Sequence, residues 1–237
     1  MSTKISIITL STRPNGLKIV EKAIRQQTIG TSNVEWIIGS PFKPDVGVKY
    51  RWAKDPPKPK ELYWQVYRQY NTCLRKAKGE LVVSWQDFTY TSPDTLQRLW
   101  DHYEEEPKSL IGAVGNKYSD DSFLVETWHD PRIRDKGYYD CPYNEIEWNL
   151  CSVPKESLYK VGGFDEYLDR YSSLCGLDVL DRLNILGGYK FKIDESIRSF
   201  STEHPRLPKW EENSPLNGIY EEYRKKYLSN PVLNYLT

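Results

Sequence analysis

Residues Asn71–Asp94 read NTCLRKAKGELVVSWQDFTYTSPD. The end of a helix, a turn at Gly79 and a strand over Leu81–Trp85 follow from this order, and then a polar loop that carries Asp87. Leu, Val and Val in succession, without polar alternation, suit a strand of a parallel sheet covered on both faces. Ligands of such sheets gather at the carboxyl ends of the strands, and Asp87 falls just past that end. The sequence allows two readings of Asp87: a carboxylate set where a phosphate or metal binds, or a cap for the following turn.

Working outward, Ile5–Leu10 reads as a first strand and Leu17–Gln26 as a helix with Leu17, Val20, Ala23 and Ile24 on one face. Asn33–Ile38 is a second strand. Strand, helix and strand within about 35 residues form a βαβ unit and predict parallel pairing. Pro41–Pro59 holds five prolines and reads as loop. Glu61–Lys78 is helical, with Leu62, Val66, Tyr70, Cys73 and Ala77 on one side. A helix is expected over Pro93–Glu105 and a strand over Leu110–Gly115. Lys117–Asn144 reads as loop with some strand. A strand over Ile146–Val153, a short helix over Pro154–Val161, a helix over Leu177–Leu186 stopped by Gly187-Gly188, and a strand over Tyr189–Ile193 follow. Asn217–Leu228 is a last amphipathic helix. The fold class is therefore α/β, a mostly parallel sheet flanked by helices, with a C-terminal helical tail.

Composition bounds the function. The chain has 237 residues, enough to bury roughly 70% of the unfolded surface without disulfide or metal support. Lys and Arg number 33 and so do Asp and Glu, so net charge gives no general drive toward nucleic acid or acidic membranes. Between Lys43 and Lys78, however, ten basic residues stand against three acidic ones. That segment suits a phosphate-bearing ligand or a solvated face. Cys73, Cys141, Cys151 and Cys175 lack zinc spacing and read as reduced thiols of a cytoplasmic protein. Ile5–Leu10 is too short for a signal-peptide core or a membrane span. The 18 Tyr and 8 Trp include enough rings to build a sugar-binding cleft as well as a core.

Four pieces occur in order: ISIITLSTRP (Ile5–Pro14), NTCLRKAKGELVVSWQDF (Asn71–Phe88), VPKESLYKVGGFDE (Val153–Glu166) and CGLDVLDRLNILGGYKF (Cys175–Phe191), with His204 after them in TEHP. This order resembles the family-2 glycosyltransferases of the GT-A fold, from about Ile5 to His204. The resemblance implies a GT-A domain over 1–204, with a nucleotide half over about 1–115 and an acceptor half over about 116–204. Residues 205–237 would be an extension packed on it.

Carried over by position, the resemblance places Thr9, Leu10, Ser11 and Arg13 at the nucleotide base and ribose, and Asn71, with Arg68 one turn earlier, close to the nucleotide. The family's Asp-x-Asp reads Gln86-Asp87-Phe88 here, which leaves Asp87 as the carboxylate for a divalent metal, Mn²⁺ or Mg²⁺, on the diphosphate. His204 matches a His that reaches the metal or diphosphate. Leu177-Asp178 stands for the family's acidic pair, making Asp178 the base that deprotonates an acceptor hydroxyl in one inverting displacement; outside that context Asp178 reads as a helix N-cap. Trp148 is a candidate for the sugar site. The family's Asp after the second strand is replaced by Gly39-Ser40, so the nucleotide is not specified.

The implied partners are a nucleoside-diphosphate sugar and an acceptor that is a glycan, a lipid-linked sugar, a protein or a modified nucleic-acid base. The Tyr face of the last helix is suited to a homodimer or a membrane surface. Two alternatives stay open: a degenerate GT-A domain that binds without turnover, and a nucleotidyltransferase, although Ser11–Gly16 lacks the Gly-rich basic loop of the latter. Asp165-Glu166 reads as a structural turn, Asp181 and Arg182 as a local surface pair, and Trp85 as core.

Overall fold

The computed structural model describes residues 3–60, 62, 65–171, 176–203 and 216–236. Among them the strands are β1 (Ile5–Leu10), β2 (Val34–Ser40), β3 (Arg51–Lys54), β4 (Leu81–Trp85), β5 (Thr89–Thr91), β6 (Ser109–Tyr118), β7 (Glu126–His129), β8 (Tyr138–Asp140), β9 (Leu150–Pro154) and β10 (Lys190–Thr202). The helices are α1 (Pro14–Arg25), α2 (Val66–Leu74), α3 (Thr95–Glu105), α4 (Lys155–Lys160), α5 (Leu177–Leu186) and α6 (Leu216–Ser229).

The strands form one mixed sheet in the order β3-β2-β1-β4-β9-β6-β10-β5, with β7 on β6 and β8 on β10. β1 pairs in parallel with both β2 and β4, while β9 runs antiparallel between β4 and β6. α1 and α3 cover one face, where Leu17, Val20, Leu96 and Leu99 meet Ile5, Ile7, Leu81 and Val83. α2, α4 and α5 cover the other, where Tyr70, Cys73, Leu158 and Leu180 meet Ile8, Val82 and Val153. Burial on both faces explains the unbroken apolar run of β4, whose five residues are all buried.

Gly79 admits this sheet to form. A Cβ there would stand 2.4 Å from the Ser6 amide nitrogen, so only glycine lets the chain pass against β1 as it enters β4.

Several sequence boundaries shift. The Pro41–Pro59 loop contains β3, a charged edge strand that pairs in parallel with β2 and is tied down by Arg51 on Glu35 at 3.1 Å. α2 runs over Val66–Leu74, inside the span expected from Glu61 to Lys78, of which Glu61, Tyr63 and Trp64 lie outside the described residues, and β9 starts at Leu150 rather than Ile146. The strand expected over Tyr189–Ile193 continues to Thr202, across a register shift between Asp194 and Arg198, because β6 extends alongside it. The loop after Asp87 is also shorter than expected, since Thr89–Thr91 pairs with β10.

The C-terminal helix docks through its aromatic side. Tyr220 and Arg224 bond Asp181 at 3.0 and 2.9 Å, and the Tyr227 hydroxyl donates to Asp165 at 2.8 Å. The chain beyond it then pairs with the Gly162 turn, as Leu233 N–H donates to Val161 and Tyr235 N–H to Gly162. No helix among the described residues is long and apolar enough to cross a membrane.

Candidate functional site

The strand order reverses at β1. β2 and β3 lie on one side of it and β4 on the other, so the carboxyl ends of β1 and β4 flank the crevice where open α/β sheets bind ligands. The two ends are joined by side chains. Ser11 Oγ donates to Asp87 Oδ2 at 2.8 Å, and Arg13 Nη2 to Asp87 Oδ1 at 2.8 Å. Asp87 is only 3% exposed, whereas Gln86 beside it is exposed. The Arg13 guanidinium also lies over the Phe88 ring, 4.9 Å from its centroid.

Phe88 has φ of 60°, a left-handed conformation that a bulky residue rarely adopts. Two main-chain bonds hold it there: its N–H donates to Gly16 and its carbonyl accepts from Thr202. A Cβ on Gly16 would fall 2.3 Å from the Phe88 ring, so the first helix opens with glycine to admit that ring.

The remaining expected nucleotide residues are placed as follows. Thr9 is fully buried, and its hydroxyl accepts from Trp36 Nε1. Leu10 packs beneath Gly39, where a Cβ would lie 2.6 Å from Leu10 and from Gln69. That crowding accounts for glycine after the second strand. Asn71 is fully buried and committed to the next segment: its amide donates to the Phe164 carbonyl and to Glu166, and its carbonyl accepts the Phe164 N–H. Arg68 faces Glu166 at 3.6 Å. Both therefore fix the Gly163–Glu166 turn against α2. Asp169 adds a second tie, since its carboxylate accepts the Tyr67 and Arg68 amides at the open end of α2. Burial pushes its carboxyl up to about 6.

Trp148 connects this region to Asp178. Its carbonyl accepts from Ser84 Oγ of β4, and the Gln86 N–H donates to neighbouring Asn149 at 2.7 Å. The Trp148 ring packs edge-on to Tyr70 and Phe164 and presses on Gly176, where a Cβ would lie 2.5 Å away. Its indole Nε1 is buried with no hydrogen-bond partner among the described residues.

Asp178, two residues past Gly176, is fully buried. Its Oδ2 accepts from the Asp165 amide at 3.0 Å and from Arg182 at 2.8 Å, while Oδ1 is buried without a hydrogen-bond partner among the described residues. Burial raises its carboxyl above the ordinary range, against the pull of Arg182 and the Asp165 amide. The cap reading of this residue does not hold, because Gly176 occupies the N-cap and Asp178 makes no cap bond. The surface-pair reading of Asp181 and Arg182 is likewise corrected: both are fully buried. Arg182 serves Asp178 and the Val161 and Gly163 carbonyls, and Asp181 serves the C-terminal helix.

His204 lies outside the described residues. Among the described residues no group of three or more His, Cys, Asp or Glu is arranged to hold a metal. At Asp87 they supply one carboxylate, and its oxygens already accept from Ser11 and Arg13. The described residues thus offer a divalent ion a single carboxylate. The described cysteines are free, and burial raises all three thiols, Cys141 to about 12.

Sequence reasoning missed the Arg182–Asp178 pair, the Asp169 tie and the tyrosine grip on Asp165. The i,i+4 spacing of Asp178 and Arg182 was the available signal for the first. The other two join residues about a hundred and about sixty positions apart, and nothing in local pattern marks them.

The site thus belongs to a mostly parallel α/β sheet in which Ser11, Arg13 and Asp87 are joined at the carboxyl ends of β1 and β4. No family model matches the chain, and no curated protein matches it at a significant level.

Proposed function

We propose that this chain is a nucleotide-sugar-dependent glycosyltransferase with a GT-A fold, similar to family 2. The observation that carries the reading is the meeting of Asp87 with Ser11 and Arg13 at the reversal point of the sheet. It unites the two sequence pieces assigned to the donor, in the crevice where an α/β sheet binds a phosphorylated ligand.

The chemistry divides between two charges. A nucleoside diphosphate leaves with added negative charge, and the Arg13 guanidinium is the cation standing at the strand ends to offset it. Binding of the diphosphate there would draw Arg13 from Asp87, and Ser11 would still hold the carboxylate. The divalent metal expected at Asp87 and His204 is kept as a variable for experiment, and no step depends on it.

The acceptor hydroxyl must lose a proton as it attacks. Asp178 Oδ1 has no hydrogen-bond partner among the described residues, and burial raises its affinity for a proton. Arg182 and the Asp165 amide on Oδ2 fix its direction. One base opposite one leaving group gives inversion at the anomeric carbon.

A second reading is favoured by one observation. Asp178 has no exposed surface and is ion-paired, as a purely structural aspartate would be. Under that reading the fold binds a glycan or a partner without turnover. Release of nucleoside diphosphate from a panel of nucleotide sugars, with and without Mn²⁺, separates the two. Turnover lost in Asp178→Asn supports the transferase, and no release from any donor supports the binding domain. A homodimer through the tail would have to use the exposed Leu228 and Val232, because Tyr220 and Tyr227 face inward.

A further inference from the structure

A separate cleft of about 460 Å³ opens between α1 and the β6–β7 hairpin, with Phe88 in its wall. Its size falls in the range of small-molecule sites. Phe88, Tyr90 and Phe123 supply aromatic walls, and the charges at its rim are Lys18, Lys22, Asp120, Asp121 and Glu203. We infer that this cleft holds a neutral saccharide ring, at a place distinct from Asp178, which lies with α5 on the opposite face of the sheet.

Two independent features support a ligand there. The first is backbone strain. Phe123 has φ of 55° and Phe88 of 60°, so two of the three described non-glycine residues with left-handed backbone line this one cleft. For a bulky residue that conformation is strained, and such outliers gather at ligand clamps. The hairpin is built to impose it on Phe123. Ser119 N–H donates to Val125, Phe123 N–H to Asp120, and the Phe123 ring is fixed among Tyr90, Tyr118 and Phe200 at 5.6–6.2 Å.

The second feature is the chemistry of the lining. A pyranose presents an apolar C–H face that stacks on a ring and hydroxyls that donate to carboxylates and accept from ammonium groups. Two lysines against three carboxylates leave the rim close to neutral, which disfavours a polyanion and suits an uncharged polyol. Asp121 and Lys22 are exposed and able to take such bonds, while Lys18 also faces Glu21 and Asp45. Phe88 is shared: one neighbour is the Arg13 guanidinium of the donor crevice and the other is this cleft.

The test is binding of the full chain to an array of neutral, sialylated and sulfated glycans, with nucleoside-diphosphate thermal shifts measured in parallel. Neutral glycans are expected to bind, with apparent affinity falling at least tenfold in Phe123→Ala and several-fold in Asp121→Asn, while the nucleotide-induced shift is unchanged in both. Asp121→Asn carries the test if Phe123→Ala does not fold. Absence of any neutral binder, stronger binding of anionic glycans, or unaltered binding by the variants would overturn the inference. Glycan binding in this cleft without any nucleotide shift would leave the cleft standing and remove the transferase reading instead.

Discussion

Asp178 and Arg182 stand one turn apart on α5 and form a 2.8 Å ion pair with neither side chain exposed. A buried pair of this kind adds little net stability over an apolar substitute, yet breaking it is costly because the remaining charge has no water. Arg182→Met should therefore destabilise the fold by about 3–5 kcal/mol, and it also removes donors from the Val161 and Gly163 carbonyls. Urea unfolding of Arg182→Met, Asp178→Asn and the double variant checks this. The double variant should lose less than the sum of the singles, and additivity would mean the pair is not coupled.

If Asp178 is the base, Asp178→Asn should lower kcat by about 10²–10⁴-fold with little change in donor KM. Equal losses in kcat and in melting temperature would instead assign the residue to the fold alone.

Tyr227 and Tyr235 both donate to the buried Asp165 carboxylate, at 2.8 and 3.0 Å. Tyr227→Phe leaves the ring on Arg182 but removes one bond to a charged acceptor, so a loss of about 1.5–3 kcal/mol is expected in urea unfolding. Gly162→Ala should be worse. Its φ is +75°, and a Cβ would lie 1.5 Å from the Leu233 carbonyl oxygen, so the C-terminal segment must lift off. Limited proteolysis should then cut near residue 233 far faster than in the parent chain.

Asp169 sets a pH dependence. Its folded-state pKa is raised from 3.8 to about 6 by burial. The folded protein therefore holds this proton more tightly than the unfolded chain does. The resulting contribution to stability is complete below about pH 4 and is lost as pH rises through about 6. Relative to Asp169→Asn, which does not titrate, the parent chain should lose unfolding free energy between pH 4 and 7. A difference that grows in the parent's favour over that interval would show that the Tyr67 and Arg68 amides outweigh the burial cost.

The sheet was readable because β1 and β4 are apolar on both faces, and α5 because its apolar period and Gly187-Gly188 stop are local; its bounds came out at Leu177–Leu186 as expected. β3 was hidden, since a four-residue edge strand with charged ends resembles loop until β2 is beside it. β5 and the extension of β10 form only by pairing with each other and with β6. In the site, Asp87 was marked by its place after an apolar strand, but its partners were not, because Ser11 and Arg13 are more than seventy positions away. Asn71 and Arg68 were read toward a nucleotide, whereas their side chains meet Phe164 and Glu166. Sequence order identifies such residues without showing which way they point.

The central claim is that the crevice at Ser11, Arg13 and Asp87 takes a nucleoside diphosphate. The direct measurement is the melting temperature of the parent chain and of Arg13→Ala with UDP, GDP, CDP, ADP and dTDP, each in Mn²⁺ and in EDTA. A nucleotide at a hundred times its Kd should stabilise the parent by about 2.7 kcal/mol, and the shift should shrink or vanish in Arg13→Ala. No shift with any of the five, or an undiminished shift in the variant, would contradict the account.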